Sequence, residues 1–548
     1  MMPTPSKDEP GLGKLDVPHR AVRANGPVAE PMGSLIGLAT RASSVAGVQM
    51  AVTKSFAVLT TLLIGGILTQ EDYGAAGSAL SIAVGVTLLQ PWVFADVLMA
   101  SPPSLPRYVN YAQRMAIMFG LWQATLIAGL IPLIMHLRPD DRQIPALLAV
   151  LALRPLFDAM LVKPLAALRY RLDVVRAPAV DAFAGMLANL GSLCMALSGG
   201  AAVSIILPQV LATLARAIAY RRLSAPLPPV DPPSDQERVL LVRNFLWAGL
   251  GAYVVSFLQM SETLVMSWFA LPFDVIGIFT FAYLIASQVT AVMATQVAGS
   301  LHPLFAHMHG DGVRMSAAFL RVVRVLGCIV VPFAFAQAAA SPALFFLIWG
   351  ERWISAVPVF VAISIAQAAS FALPTVSLML KAQGRFRTVL VVHSIYAAIA
   401  VTAYAAICSR PSLATSAASR FGIDEQSAIP TVIASINALI LFVLGPITLK
   451  VALPRQCRES VNTNSAFYLP ILITAPIGVV AFVIAHAMSH ECKTDPFVLA
   501  IIALLVFGGT FVMCCAVCAR INGDAWNDLA GISRRALGRL RWRPRVPK

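Results

Sequence analysis

Charged side chains are scarce in this chain. Asp, Glu, Lys and Arg make up 12% of its 548 residues, hydrophobic residues make up 58%, and the mean hydropathy is +0.77. Soluble domains carry about twice that share of charge, so the balance excludes one. Acidic residues are scarcer than basic ones, 26 against 41 Lys and Arg, for a formal net charge of +15. The chain has no ATPase domain and no acidic glycosyltransferase-like motif in a soluble loop. Gly11-Leu-Gly13-Lys14 lacks the spacing of a phosphate loop. Residues 1–43 are polar and rich in Pro and Gly, without the apolar core of a secretory signal, and are expected to be a disordered cytoplasmic extension. Cysteines number eight. Cys514, Cys515 and Cys518 resemble a CxxC pattern, but no further ligands sit in a loop, so they read as small apolar filler and no metal is expected. Cys408 and Cys492 could both reach the outer side, which leaves a disulfide conceivable.

What the chain has in abundance is apolar runs of about twenty residues, the length that crosses the hydrocarbon core as a helix. Fourteen spans are expected, at about 44–68, 74–98, 111–136, 144–167, 175–197, 201–220, 244–270, 275–300, 317–339, 354–380, 388–409, 429–451, 467–488 and 496–519. The fold class is therefore an all-α polytopic membrane protein. Its joints alternate in charge: Leu68 to Tyr73 and Ser198 to Gly200 are neutral or acidic, whereas Lys163 to Arg176, Tyr220 to Arg222 and Lys381 to Arg387 are basic. Arg138, Arg142, Arg352, Arg410, Arg420 and Lys493 fall outside, and Lys54, Arg154 and Arg216 fall within spans. Every other Lys and Arg falls on one side. That is the positive-inside bias, and it predicts a bacterial inner membrane protein with both termini cytoplasmic. The basic excess is topological, so no nucleic-acid partner is expected.

The Pro-rich stretch Ala225 to Pro233 divides twelve spans into six and six. Leu68, Gly74, Ala79, Ile82 and Ala83 recur as Leu271, Gly277, Ala282, Ile285 and Ala286, each offset by 203. Arg169-Tyr170-Arg171 recurs as Arg385-Phe386-Arg387, offset by 216. An even number of spans per lobe makes the repeat parallel, an arrangement that in transporters places a substrate site between the halves. The expected organisation is an extension (1–43), a six-helix lobe (44–222), a cytoplasmic linker (223–243), a second six-helix lobe (244–452), two further helices (453–520) and a basic tail (521–548). Ala340 to Trp353 is expected as an outer loop. In the tail, Trp526, Leu529, Leu537 and Leu540 alternate with Arg residues, as in an interfacial strip on anionic lipid or a solvated charge run.

Leu68-Thr-Gln-Glu-Asp-Tyr-Gly74 resembles the L-T-x-E-D-[YF]-G turn of polysaccharide and O-antigen flippases, within the multidrug/oligosaccharidyl-lipid/polysaccharide exporter superfamily. Glu262 to Tyr283, His302-Pro303, Gly350-Glu-Arg-Trp353 and Ala382-Gln-Gly384-Arg385 fall at further positions of that pattern, and the likeness covers about residues 40 to 450. The resemblance implies alternating access and outward flipping of an undecaprenyl-pyrophosphate-linked oligosaccharide for exopolysaccharide, capsule or O-antigen synthesis. It implies membrane lipids, a polysaccharide polymerase and a chain-length regulator as partners, and no enzymatic step.

Ionisable residues inside spans cost about 2.5–3.5 kcal/mol at a helix centre on insertion scales, and usually face a cavity or a partner. Lys54, Arg154 and Arg216 are the candidate cavity cations for a pyrophosphate headgroup, since Arg offers a planar fork and Lys a point charge. Arg154 and Asp158, four apart on one helix, also suit an intrahelical pair, and Arg216 also suits an anchor snorkelling to the inner surface. Asp158, Asp181 and Glu262 are candidate counter-ions, and Asp181 and Glu262 are also candidate carriers of a coupling ion, H⁺ or Na⁺; no other cofactor is expected. His302, His307 and His309 read as interfacial histidines rather than a metal cluster. Three alternatives stand beside the flippase. A cation-coupled multidrug exporter would prefer a carboxylate where Lys54 stands, and a peptidoglycan-precursor flippase is matched less well by the Leu68 to Gly74 turn. A membrane polymerase or ligase usually needs clustered Arg and His in a large outer loop, yet the longest here, Ser409 to Gln426, has no His.

Overall fold

The turn after the first span is a helix start. Thr69 accepts a hydrogen bond from the Asp72 backbone N–H (3.1 Å), and Asp72 Oδ2 accepts from the Thr69 N–H (2.8 Å), closing a capping box. The linker ends in the same device, with Ser234 and Glu237 bonded reciprocally. The computed structural model describes residues 53–91, 93–99, 105–139, 141–170, 176–224, 227, 232–288, 312–383, 385–454, 457–458, 462–491 and 495–521.

Among these the chain is all helical. The part of the chain expected as the first lobe holds α1 (Thr53–Ile67), α2 (Gln70–Val86), α3 (Val93–Met99), α4 (Leu105–Leu137), α5 (Gln143–Leu151), α6 (Arg154–Met160), α7 (Val162–Tyr170), α8 (Arg176–Leu197) and α9 (Val203–Leu223). The second holds α10 (Asp235–Trp268), α11 (Phe273–Gln288), α12 (Gly312–Trp349) with a 3₁₀ turn at Gly350–Trp353, α13 (Ala356–Ser370), α14 (Leu373–Ala382), α15 (Phe386–Cys408), α16 (Pro411–Ser419) and α17 (Glu425–Ala452). α18 (Thr463–Glu491) and α19 (Pro496–Ile521) pack on α12 and on each other.

Among the described residues, eleven segments are long and apolar enough to cross a membrane. Of the other expected spans, the first and eighth are described over α1 and α11 only, and the second is split by the Thr87–Pro91 turn into α2 and α3. Proline also breaks the fourth span of each lobe. Pro155 and Pro374 stand in the first turns of α6 and α14, where a missing N–H is tolerated but the preceding helix cannot continue regularly.

One expectation is overturned. Ala340 to Trp349 is not loop but the last turns of α12, a 38-residue helix with Pro332 and Pro342 inside it. At about 57 Å it is nearly twice the hydrocarbon thickness, so the apolar length needed for crossing does not mark its end. Ala340, Ser341 and Ala343 are fully buried. The other expected outer loop, Ser409 to Gln426, contains the short helix α16.

The two lobes meet at the end of the bundle that carries the neutral joints. There α2 and α11 cross through Gly74 and Gly277, the pair related by the offset of 203. A Cβ on Gly74 would lie 1.9 Å from the Phe273 carbonyl oxygen, and one on Gly277 would lie 1.7 Å from that of Gln70. Gln70 and Phe273 are themselves related by 203, so the contact is reciprocal, as across a two-fold axis. Only glycine allows backbones to approach this closely.

The 3₁₀ turn then caps α1, whose last carbonyls have no partner within the helix. Arg352 donates to the carbonyls of Gly66 (3.1 Å) and Leu68 (2.7 Å), Trp353 Nε1 to Gly65 (2.8 Å) and Trp349 Nε1 to Leu62 (3.0 Å). Trp353 stacks on Phe281 at 3.7 Å, and Tyr73 packs edge-on against both rings. Along one flank the lobes are joined from end to end by α10. Arg107 pairs with Glu237 (3.0 Å), Phe94 stacks on Phe245 (3.6 Å), Tyr253 donates to the Gly85 carbonyl (2.7 Å) and Ser267 donates to Ser78 (2.8 Å).

Candidate functional site

The short helix α6 has Pro155 in its first turn, is followed by α7 with Pro164, and carries Arg154 and Asp158 one turn apart. Two further helices bring charges to it. Asp181 is five residues into α8 from its basic end, about 8 Å along the axis. Arg216 is seven residues from the basic end of α9, about 10 Å. The side chains join in a chain of ion pairs: Arg154 Nε to Asp158 Oδ2 at 3.8 Å, Arg216 Nη2 to Asp158 Oδ1 at 3.4 Å, and Arg216 Nη1 to Asp181 Oδ1 at 3.7 Å. Asp158 is the most enclosed, with its side chain 16% exposed, against 33% for Arg216, 44% for Arg154 and 54% for Asp181.

Sequence spacing suggested only the pair within α6. The structure makes Arg216 the bridge between two carboxylates on different helices, which replaces the snorkelling anchor. All three separations exceed the 2.7–2.9 Å of a good charge-assisted hydrogen bond. Arg216 Nε is buried with no hydrogen-bond partner among the described residues, an arrangement that costs about 1–3 kcal/mol. This cluster is held loosely and has donor capacity to spare.

Lys54 approaches the same region from α1. Its neighbour Thr53 lies against α8, where a Cβ built on Gly185 would sit 3.3 Å from Thr53 Cγ2. Gly185 is one turn from Asp181. Lys54 is partly buried and has no ion pair among the described residues. Thus four of the first lobe's helices bring Lys54, Arg154, Asp158, Asp181 and Arg216 to one layer in the half of the bundle nearer the basic joints.

Glu262 stands apart, near the neutral end of α10 and 3% exposed. Asn437 Nδ2 donates to its Oε1 (2.7 Å), Ser261 Oγ lies 3.5 Å from Oε2, and the Tyr404 hydroxyl lies beside the carboxyl. Tyr396 donates to the Asn437 side-chain oxygen Oδ1, completing the chain. No cation pairs with Glu262 among the described residues, so it is not the counter-ion of Lys54, Arg154 or Arg216. The sequence reading missed Asn437, Tyr396 and Tyr404. The available signal was a lone amide and two phenols inside otherwise apolar spans, which must find partners there. A carboxyl with only neutral donors around it is able to hold a proton or a small cation.

Other sequence candidates have structural roles or lie elsewhere. Arg385 donates to the Val451 carbonyl (3.1 Å) and Gln383 to that of Ala452 (2.9 Å), capping the end of α17. Cys514 and Cys518 are buried, and Cys515 Sγ lies 3.8 Å from the Cys328 carbonyl oxygen across the α12–α19 contact. Cys408 is a buried free thiol. Cys492, the His302 to His309 group, the N-terminal extension and the basic tail lie outside the described residues.

This fold is shared with transporters. The lipid II flippase MurJ, in an inward closed conformation, aligns with a TM-score of 0.60 at 11% identity, over 87% of this chain and 98% of that one. An inward-facing multidrug resistance MATE family transporter of the MOP superfamily aligns with a TM-score of 0.53 at 13% identity, over 74% of this chain and 98% of that one. No curated protein matches the sequence. The model of the family described as "Polysaccharide biosynthesis protein" matches residues 64–358, more than half of the chain. The chain is a multi-pass membrane protein and belongs to that family.

Proposed function

We propose that the protein moves a polyprenyl-diphosphate-linked oligosaccharide from the cytoplasmic to the periplasmic face of the inner membrane, for assembly of an exported polysaccharide. The observation that supports it most is the gathering of Lys54, Arg154 and Arg216 from α1, α6 and α9 in the half of the bundle nearer the basic joints, away from the Gly74–Gly277 crossing. An anionic headgroup leaving water needs charge compensation and hydrogen-bond donors, and these side chains supply both. Membership of a polysaccharide biosynthesis family agrees with the cargo, and the MurJ neighbour, by its name, handles a lipid-linked glycan precursor. In this reading the basic joints and both termini are cytoplasmic, and the lobes are residues 44–222 and 244–452. Alternating access opens the Gly74–Gly277 crossing, while the α10 flank keeps the lobes together. Glu262, with Asn437 and the two tyrosines, holds the coupling proton or Na⁺. No bond in the cargo is made or broken; a polymerase and a chain-length regulator receive the unit on the far side.

The test uses proteoliposomes loaded with a fluorescent undecaprenyl-diphosphate oligosaccharide, with sidedness read by an impermeant glycosidase. The protein is expected to move the lipid, and Lys54→Ala to slow it about tenfold, the effect of about 1.4 kcal/mol at the barrier. Efflux of a cationic dye with no movement of the glycolipid would instead establish the multidrug exporter.

A further inference from the structure

Two of the first lobe's cations, Arg154 and Arg216, already carry anions. Arg216 is occupied by two carboxylates and Arg154 by one of the same two. If the acids were ordinary structural partners, the guanidinium forks would be saturated at short distances. Instead all three contacts lie between 3.4 and 3.8 Å, and Arg216 Nε is left without a partner. A planar guanidinium matches phosphate oxygens in a bidentate way, whereas here Arg216 is split between two carboxylates, Nη2 toward Asp158 and Nη1 toward Asp181. We propose that Asp158 and Asp181 hold the place of the cargo's diphosphate. In the empty protein they neutralise the arginines, and the two phosphates displace them when the lipid binds. The inference rests on the diphosphate cargo proposed above.

The arrangement answers two requirements of a carrier. Uncompensated cations in a low-dielectric interior are costly, so the empty protein can change conformation only if its arginines carry substitute anions. Cargo must also leave, and re-closure of the carboxylates on the arginines assists departure of the diphosphate. Asp181, with a side chain 54% exposed, has room to swing away; Asp158, at 16%, has less and shares Arg154 and Arg216.

The experiment measures binding of undecaprenyl diphosphate, without a glycan, to the full chain in nanodiscs. Asp181→Asn removes one competing anion at an exposed position, and Asp158→Asn, nearly isosteric, removes the other. Each is expected to bind the lipid about tenfold more tightly than the unaltered protein, as expected when a direct competitor is lost. Undecaprenol is expected to bind all three alike, and Asp495→Asn, remote from the cluster, to leave diphosphate affinity unchanged. Adding Arg216→Ala to Asp181→Asn is expected to erase the gain. Unchanged or weaker diphosphate binding by both Asp→Asn variants, with the unaltered protein still binding, overturns the inference and leaves the cargo standing. Failure of the unaltered protein and of both variants to bind overturns the inference together with the cargo.

Discussion

Gly277→Ala abolishes polysaccharide export in the expected outcome, while Gly66→Ala, in the neighbouring α1, leaves it intact. The added methyl would lie 1.7 Å from the Gln70 carbonyl oxygen, 2.6 Å from its carbon and 3.0 Å from the Gly74 nitrogen. All three are backbone atoms, so no rotamer change relieves the clash. Overpacking costs about 1–3 kcal/mol where side chains can adjust, so a backbone clash belongs at the top of that range. A loss of about 3 kcal/mol by the state closed at the neutral end shifts its population more than 100-fold. A Cβ on Gly66 meets nothing within 4 Å, which makes it the matched control. The measurement uses Ser78→Cys in a cysteine-free background. Ser78 is fully buried one turn behind the crossing. An impermeant maleimide is expected to label it slowly with Gly277 present and rapidly in Gly277→Ala. Equal, slow labelling would show that the crossing is not the gate.

Arg216→Ala has the second large effect. The substitution leaves Asp181 without its contact to α9, and Asp158 with only Arg154, 3.8 Å away. Breaking a fully buried pair costs about 3–5 kcal/mol, but the partial exposure of Asp181 and Arg216 brings the stability loss nearer 1 kcal/mol. Transport is expected to fall much further, about 100-fold, because in the proposed function the residue that bridges three helices also supplies the phosphate-binding fork. Arg216→Lys keeps the charge without the fork and is expected to recover a fraction. Thermal unfolding and flipping rate measured on the same preparations separate the two effects. A rate that falls only in proportion to the loss of folded protein would make Arg216 a strut.

How much of this was legible in the chain depends on what each residue reports. Apolar length gave most of the spans, and the charge of the joints gave the two ends of the bundle. Thr69 and Asp72 announce a helix start by their spacing alone. The offset of 203 pointed to Gly74 and Gly277 as equivalent positions, but not to their direct contact, which requires the lobes to be docked. The same limit applies to Arg216: its partner within α6 is 58 residues away, so periodicity is silent about it. Ala340 to Trp349 was misread because apolar length reports only what a membrane crossing needs, and α12 continues beyond that into protein. Gly350 to Trp353 and Gln383 to Arg385 stood out as motif positions; in the structure they hold helix ends, Arg352 at α1 and Arg385 at α17. Asn437, Tyr396 and Tyr404 escaped notice because uncharged polar residues barely alter a hydropathy window, although inside a span each must find a partner.

Cells lacking the protein would reveal both what the cargo is and which way it moves. Undecaprenyl-linked repeat units would be extracted after deletion, and their sidedness read with a membrane-impermeant lectin, with the unaltered chain and Arg216→Ala as complementing copies. Complete units accumulating on the cytoplasmic face, polymer lost, rescue by the unaltered chain and none by Arg216→Ala is the expected result. Complete units that reach the periplasmic face and remain unpolymerised would contradict it and move the chain's role to polymerisation.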